Sequence, residues 1–158
     1  MTWFGGGGGK GQAPPTLQGK TIDVGEHRLR VEEHLVDGGF AVIYRVKDVK
    51  TGQLYALKHL ALRSAEAKMA LREEARIMNK VQGHPNVISL YRVAFGPEKE
   101  DEQDAFMLMD LCSESLYGYM QKRSFVLPDD EVLDIFQSVC GAVQHLHMQK
   151  HPICHRYG

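Results

Sequence analysis

The stretch that decides the reading is Leu35-Val36-Asp37-Gly38-Gly39-Phe40-Ala41-Val42-Ile43, followed at a short distance by Tyr55-Ala56-Leu57-Lys58. Asp37-Gly38-Gly39 and Lys50-Thr51-Gly52 are strong turn signals. They divide β-branched and aromatic runs into three predicted antiparallel strands, about Leu29 to Val36, Phe40 to Asp48 and Leu54 to Leu60. Paired glycines let backbone amides approach a phosphate with no Cβ in the way, although alone such a turn is first an ordinary tight hairpin. With a period of two, Leu54, Ala56, Lys58 and Leu60 share one face, so a lysine projects from an otherwise apolar surface.

Downstream, Ser64 to Val81 predicts a capped helix with Leu71, Ala75, Met78 and Val81 spaced four, three and three apart. Glu74 lies on that same stripe, three residues after Leu71 and four before Met78. A carboxylate buried there without a partner costs roughly 3 to 5 kcal/mol, and Lys58 is its natural counter-ion. A phosphate-binding lysine needs such a fixed partner. Gly83-His84-Pro85 ends the helix, and Asn86 to Ala94 and Ala105 to Leu111 read as two more strands. Between them Gly96 to Asp104 reads as a solvated acidic loop. Leu116 to Lys122 predicts a short helix, and after Pro128 a longer one runs to about Met148 with Val132, Phe136, Val139, Val143 and Leu146 in register.

Composition bounds the rest. A chain of 158 residues, 43% hydrophobic and 25% charged, fits one globular domain and excludes collagen, disorder and coiled coil. The formal net charge of −1 gives no broad field for nucleic acid or an anionic membrane. No signal peptide or apolar run of membrane-spanning length is read, and three cysteines without CxxC spacing point to a reducing, cytoplasmic setting. Residues 1–20, with the Gly5 to Gly9 run, read as a flexible tail rather than a phosphate loop. His145, His147, His151, Cys154 and His155 crowd together, but a pair two residues apart on a helix points to different faces, so packing outranks zinc. Cys112 and Cys140 read as core or hinge fillers.

The ordered set resembles the N-terminal half of a eukaryotic protein kinase, from about Thr21 to Arg156. Gly38-Gly39-Phe40-Ala41 is similar to the nucleotide loop of the Numb-associated kinases, the group of adaptor-associated and cyclin-G-associated kinases. Tyr55-Ala56-Leu57-Lys58, Gly83-His84-Pro85-Asn86, Met109-Asp110-Leu111-Cys112 and Pro152-Ile153-Cys154-His155-Arg156 are further echoes. The lead-in Gly19 to Gly25 looks like plant and algal members. The resemblance implies an α+β fold, a five-stranded antiparallel sheet with one large helix. The N-lobe would cover residues 21–109, the hinge 110–112 and an incomplete C-lobe 113–158.

It also implies ATP as nucleotide and site roles residue by residue. Gly38 and Gly39 lie over the phosphates within the loop of Val36, Phe40 and Ala41, and Lys58 contacts the α and β phosphates. Glu74 pairs with Lys58, Ile43 and Ala56 line the adenine pocket, and Met109 is the gatekeeper. The backbone of Asp110 and Cys112 hydrogen-bonds adenine. Val36 and Ala41 stand where many kinases keep the first and third loop glycines. Kinases continue His-Arg-Asp, whereas this chain reads His155-Arg156-Tyr157-Gly158. The catalytic aspartate, the catalytic-loop asparagine and the magnesium-binding Asp-Phe-Gly would follow that point, so this chain alone is expected to be inactive and the longer form a serine/threonine kinase. The family implies protein substrates among clathrin-adaptor subunits and peripheral association with vesicle membranes through partners. The competing reading is a catalytically dead nucleotide-binding or protein-interaction remnant, with the apolar stripe of the last helix left exposed.

Overall fold

The computed structural model describes residues 16–38, 41–99 and 102–153. In chain order it contains β1 (Thr21–Val24), β2 (His27–Asp37), β3 (Ala41–Asp48), β4 (Leu54–Leu62), α1 (Ala65–Val81), β5 (Leu90–Glu98), β6 (Gln103–Met109), α2 (Leu116–Gln121) and α3 (Asp129–His147). The strands pair antiparallel in one sheet of order β1-β2-β3-β4-β6-β5. The class is α+β as expected, but the sheet has six strands where the sequence suggested five.

The added strand is β1, in the lead-in, which is too short to show an alternating pattern of its own. It pairs with β2 across Gly25 and Glu26, with Val24 opposite His27. Gly25 sits at φ +62°, and a Cβ there would lie 2.8 Å from Arg92 Nε. The left-handed backbone favours glycine, and any Cβ there would push the flexible Arg92 side chain aside. Arg92 on β5 also pairs with Glu26, so the sheet curls until the β1–β2 turn meets its far edge.

A second correction concerns β5, which starts at Leu90 instead of Asn86. The Val87 N–H donates to His84 O at 3.0 Å and closes a turn around Pro85, which has no N–H for a ladder. The strand then continues through Pro97 to Glu98, so the solvated acidic connection is shorter than expected. The Lys99 N–H donates to Glu102 O at 3.1 Å across it.

Two apolar clusters fill the two faces of the sheet. Val31, Val42, Tyr44, Val46, Leu57 and Leu108 form one, roofed by Leu17, whose N–H donates to Tyr44 Oη at 3.2 Å. Leu60, Leu71, Ala75, Leu90, Ala105 and Met107 form the other, where α1 packs. The Ser64 side chain caps α1 by accepting from Ala67 N at 3.1 Å, and Glu66 and Lys80 complement its dipole. Full burial of a residue such as Leu71 is worth about 2 kcal/mol.

Helix α3 is tied to the end of α1 by polar groups. Asn86 Nδ2 donates to Ser138 O at 3.0 Å, His145 Nε2 lies 2.8 Å from Val81 O, and His145 stacks on His84 with centroids 5.0 Å apart. His145 therefore has a structural role in docking the helix. The apolar stripe of α3 faces outward, with Phe136 64% exposed. Among the described residues, no helix is long and apolar enough to cross a membrane.

Candidate functional site

Sheet register determines which side chains meet. Ile43 pairs with Val36 on one side and Lys58 on the other, Ala41 with Leu60, and Ala56 with Met109. Val36, Ala41, Ile43, Ala56, Lys58 and Met109 therefore share the face that α1 partly covers. Ala41 and Ala56 are buried, Ile43 and Met109 half-buried, and Val36 exposed. The helix stripe delivers Glu74 to the same place, where Lys58 Nζ donates to Glu74 Oε1 at 2.7 Å. The two side chains are only 8% and 13% exposed, respectively. Glu74 Oε2 is buried and, among the described residues, has no hydrogen-bond partner. An ammonium fixed in this way beside apolar walls suits a ligand with a flat apolar part and an anionic part.

Gly38 and the segment after β6 follow the strands of this face. The Gly38 N–H donates to Ala41 O at 2.7 Å, and a Cβ on Gly38 would come within 3.1 Å of that oxygen. Gly39 and Phe40 lie outside the described residues. Beyond Met109, Asp110 is held three times, twice by Ser89 just before β5 and once by Tyr91 on it. Its N–H donates to Ser89 O at 3.2 Å, its Oδ2 accepts from Ser89 N at 2.7 Å, and its Oδ1 accepts from Tyr91 Oη at 2.5 Å. That last bond, helped by burial, pushes the Tyr91 phenol up to about 12, so it stays a donor at neutral pH. Burial pushes the Asp110 carboxyl up, but the bonds from Tyr91 and Ser89 outweigh it and hold the group below its ordinary value.

Nothing in the sequence marks Ser89 and Tyr91 until the β5–β6 register sets them beside Asp110. The expectation of packed cysteines is corrected: Cys112 and Cys140 are both exposed. Cys112 follows the end of the sheet and Cys140 lies on the outward side of α3, so neither has a core to fill. Cys154 and His155 lie outside the described residues.

On the opposite face from Lys58, His59 is 1% exposed, stacks on Phe106 with centroids 4.8 Å apart, and meets Asp104 Oδ1 at 2.7 Å through Nε2. Burial pushes its pKa down against the pull of Asp104. It is a neutral ring locking β4 to β6. Among the described residues no group of three or more His, Cys, Asp or Glu is arranged to hold a metal ion. The described residues therefore supply no magnesium ligand set.

Residues 29–156 match the family model of the protein kinase domain. The chain belongs to this family. It is 33% identical over 143 residues to a probable serine/threonine-protein kinase of Dictyostelium discoideum, an alignment covering 88% of this chain and 13% of that protein. A second probable serine/threonine-protein kinase of the same organism is 31% identical over 142 residues, covering 87% and 18%. The serine/threonine-protein kinase AKL1 of Saccharomyces cerevisiae is 28% identical over 156 residues, covering 87% and 14%. The chain thus spans less than a fifth of the length of these relatives. Within a kinase domain, the curled sheet with α1 is the architecture of the N-lobe.

Proposed function

We propose that this kinase-domain chain binds ATP on the sheet face that α1 partly covers, and that the full-length protein transfers the γ-phosphate of ATP to serine or threonine residues of proteins. The observation that carries the reading is the nearly buried Lys58–Glu74 pair at 2.7 Å, set on a strand beside the glycine turn. In this reading residues 21–109 are the N-lobe, residues 110–112 the hinge and residues 113–158 the start of the C-lobe.

Each role follows from position and chemistry. The Lys58 ammonium neutralises the α and β phosphates, and Glu74 holds it in place so that little rearrangement is needed when the nucleotide arrives. Gly38 and Gly39, within the loop of Val36, Phe40 and Ala41, lie over the phosphates where a side chain would obstruct the approach. Ile43 and Ala56 line the adenine, Met109 stands behind it, and the backbone of Asp110 and Cys112 bonds its edge. Magnesium, when bound, neutralises charge on the phosphoryl group being transferred.

The Gly38-Gly39-Phe40-Ala41 turn supports placement among the Numb-associated kinases. On that basis the protein substrates are clathrin-adaptor subunits, met in the cytoplasm and at vesicle surfaces through partners. The test begins with ATP titrated into the chain while its melting temperature is followed. At 100 times Kd, binding adds about 2.7 kcal/mol of stability, and an unchanged melting temperature at saturating ATP would overturn the site. Transfer is tested on the full-length protein with labelled ATP, magnesium and adaptor subunits. Label on adaptor serine or threonine that is lost in Lys58→Ala supports the substrate class, and label that persists in Lys58→Ala refutes the role of Lys58.

A further inference from the structure

The hydrogen bonds around Asp110 depart from the pattern of the ladder that leads to it. In a hydrogen-bonded antiparallel pair, two opposed residues exchange two N–H to O=C bonds. Leu90 faces Met109, so continuing the register sets Ser89 opposite Asp110, a position that their backbone bond marks as hydrogen-bonded. The first bond is present, from Asp110 N–H to Ser89 O at 3.2 Å. The return bond is replaced, because the Ser89 N–H donates to the Asp110 side chain, Oδ2, at 2.7 Å. A backbone N–H carries one proton, and an ionised carboxylate is a stronger acceptor than a peptide carbonyl. The other carboxylate oxygen takes the Tyr91 hydroxyl at 2.5 Å. The Tyr91 ring is itself held edge-on by Tyr55 at 5.1 Å, and Tyr55 in turn by His27 at 5.6 Å.

We propose that the Asp110 carboxylate takes the place of its own backbone carbonyl in the ladder, locked there by Tyr91, and so releases that carbonyl to face the base of a bound nucleotide. Asp110 and Tyr91 are thereby positioning residues that favour a purine with a 6-amino group. A released carbonyl accepts from that amino group and meets the 6-oxo group of inosine oxygen to oxygen. The same carboxylate anchors the start of the link to the second lobe, so its loss disturbs the base end of the site and leaves the Lys58 end intact. This inference rests on the nucleotide reading above.

The test is calorimetry on the chain with three probes: adenosine, inosine and inorganic tripolyphosphate. Asp110→Ala returns the Ser89 N–H to the backbone carbonyl. It should weaken adenosine about tenfold and erase the preference over inosine, while tripolyphosphate changes less than about twofold. Asp110→Asn keeps an oxygen for the Ser89 N–H and should recover adenosine affinity to within about threefold of wild type. Tyr91→Phe, a milder change that keeps the ring packing, should weaken adenosine about two- to fivefold and serves if Asp110→Ala fails to fold. Wild-type adenosine affinity in Asp110→Ala or Tyr91→Phe, or an equal loss for tripolyphosphate, would overturn the positioning role while the nucleotide site stands. Absence of binding of all three probes to the wild-type chain would overturn the site and this role together.

Discussion

Exchanging Lys58 for methionine separates what the ion pair does for folding from what it does for ligand. In Lys58→Met, the Glu74 carboxylate stays in the seam between α1 and the sheet, 13% exposed, with one oxygen already lacking a partner among the described residues. Breaking a buried pair from one side costs about 3 to 5 kcal/mol. That is a large share of the roughly 5 to 15 kcal/mol that keeps a domain folded. With a urea slope of about 1.5 to 2 kcal/mol/M, a loss of 3 kcal/mol moves the unfolding midpoint down by about 1.5 to 2 M. Adding Glu74→Leu removes the stranded charge and fills the space with apolar atoms, an exchange that is often neutral or stabilising by about 1 to 4 kcal/mol. The double variant should therefore regain the wild-type midpoint or exceed it. Its affinity for ATP should remain at least about tenfold weakened, because a charge-assisted bond to phosphate is worth about 1.5 to 3 kcal/mol. Urea denaturation and ATP calorimetry on wild type, both single variants and the double variant make the measurement. A single-variant loss under about 1 kcal/mol, or a stable double variant with wild-type ATP affinity, would refute the reasoning.

Three further outcomes follow from the geometry. Asp48 accepts from the Thr51 and Lys50 amides and from His27, bonds that hold its carboxyl at about 2, so its stabilisation is full above the ordinary value of 3.8 and is lost as pH falls toward about 2. Asp48→Asn should flatten that stretch of the stability curve, and an unchanged slope would count against it. His59 is held neutral by burial, with its pKa below the ordinary 6.5, so stability present above that value declines as pH drops beneath it. In His59→Gln that decline should be missing from an acid titration followed by circular dichroism. Gly25→Ala forces a Cβ into a left-handed backbone and against Arg92, and should cost about 1 to 3 kcal/mol in a urea melt. A loss under 0.5 kcal/mol would show that the turn relaxes freely.

The parts of this molecule legible in the sequence are those whose signal is local and periodic. Helix α1 is readable because Ser64 caps it and the Leu71, Ala75 and Val81 stripe repeats. The Lys58–Glu74 pairing is readable because two charges sit on faces that periodicity turns toward one core. β1 escaped because its four residues show no alternation of their own and are ordered by pairing with β2. β5 moved because His84-Pro85-Asn86-Val87 closes a turn whose hydrogen bond has no sequence signal. The Ser89, Tyr91 and Asp110 cluster spans about twenty residues and depends on strand register, which a reading of separate segments does not fix. Exposure of Cys112 and Cys140 likewise depends on what packs against α3 and the segment after β6, which composition alone does not give.

The central claim is that Lys58 meets the phosphates of ATP, and covalent labelling tests it most directly. In an acyl phosphate of ATP, an amine held at the phosphates attacks the acyl carbonyl, an amide forms, and ATP leaves with the electron pair of the broken acyl–oxygen bond. Mass spectrometry of the digested chain should place the acyl group on Lys58, with labelling suppressed by excess ATP. Labelling scattered over exposed lysines such as Lys50 and Lys122, or Lys58 labelling that excess ATP leaves unchanged, would contradict the account.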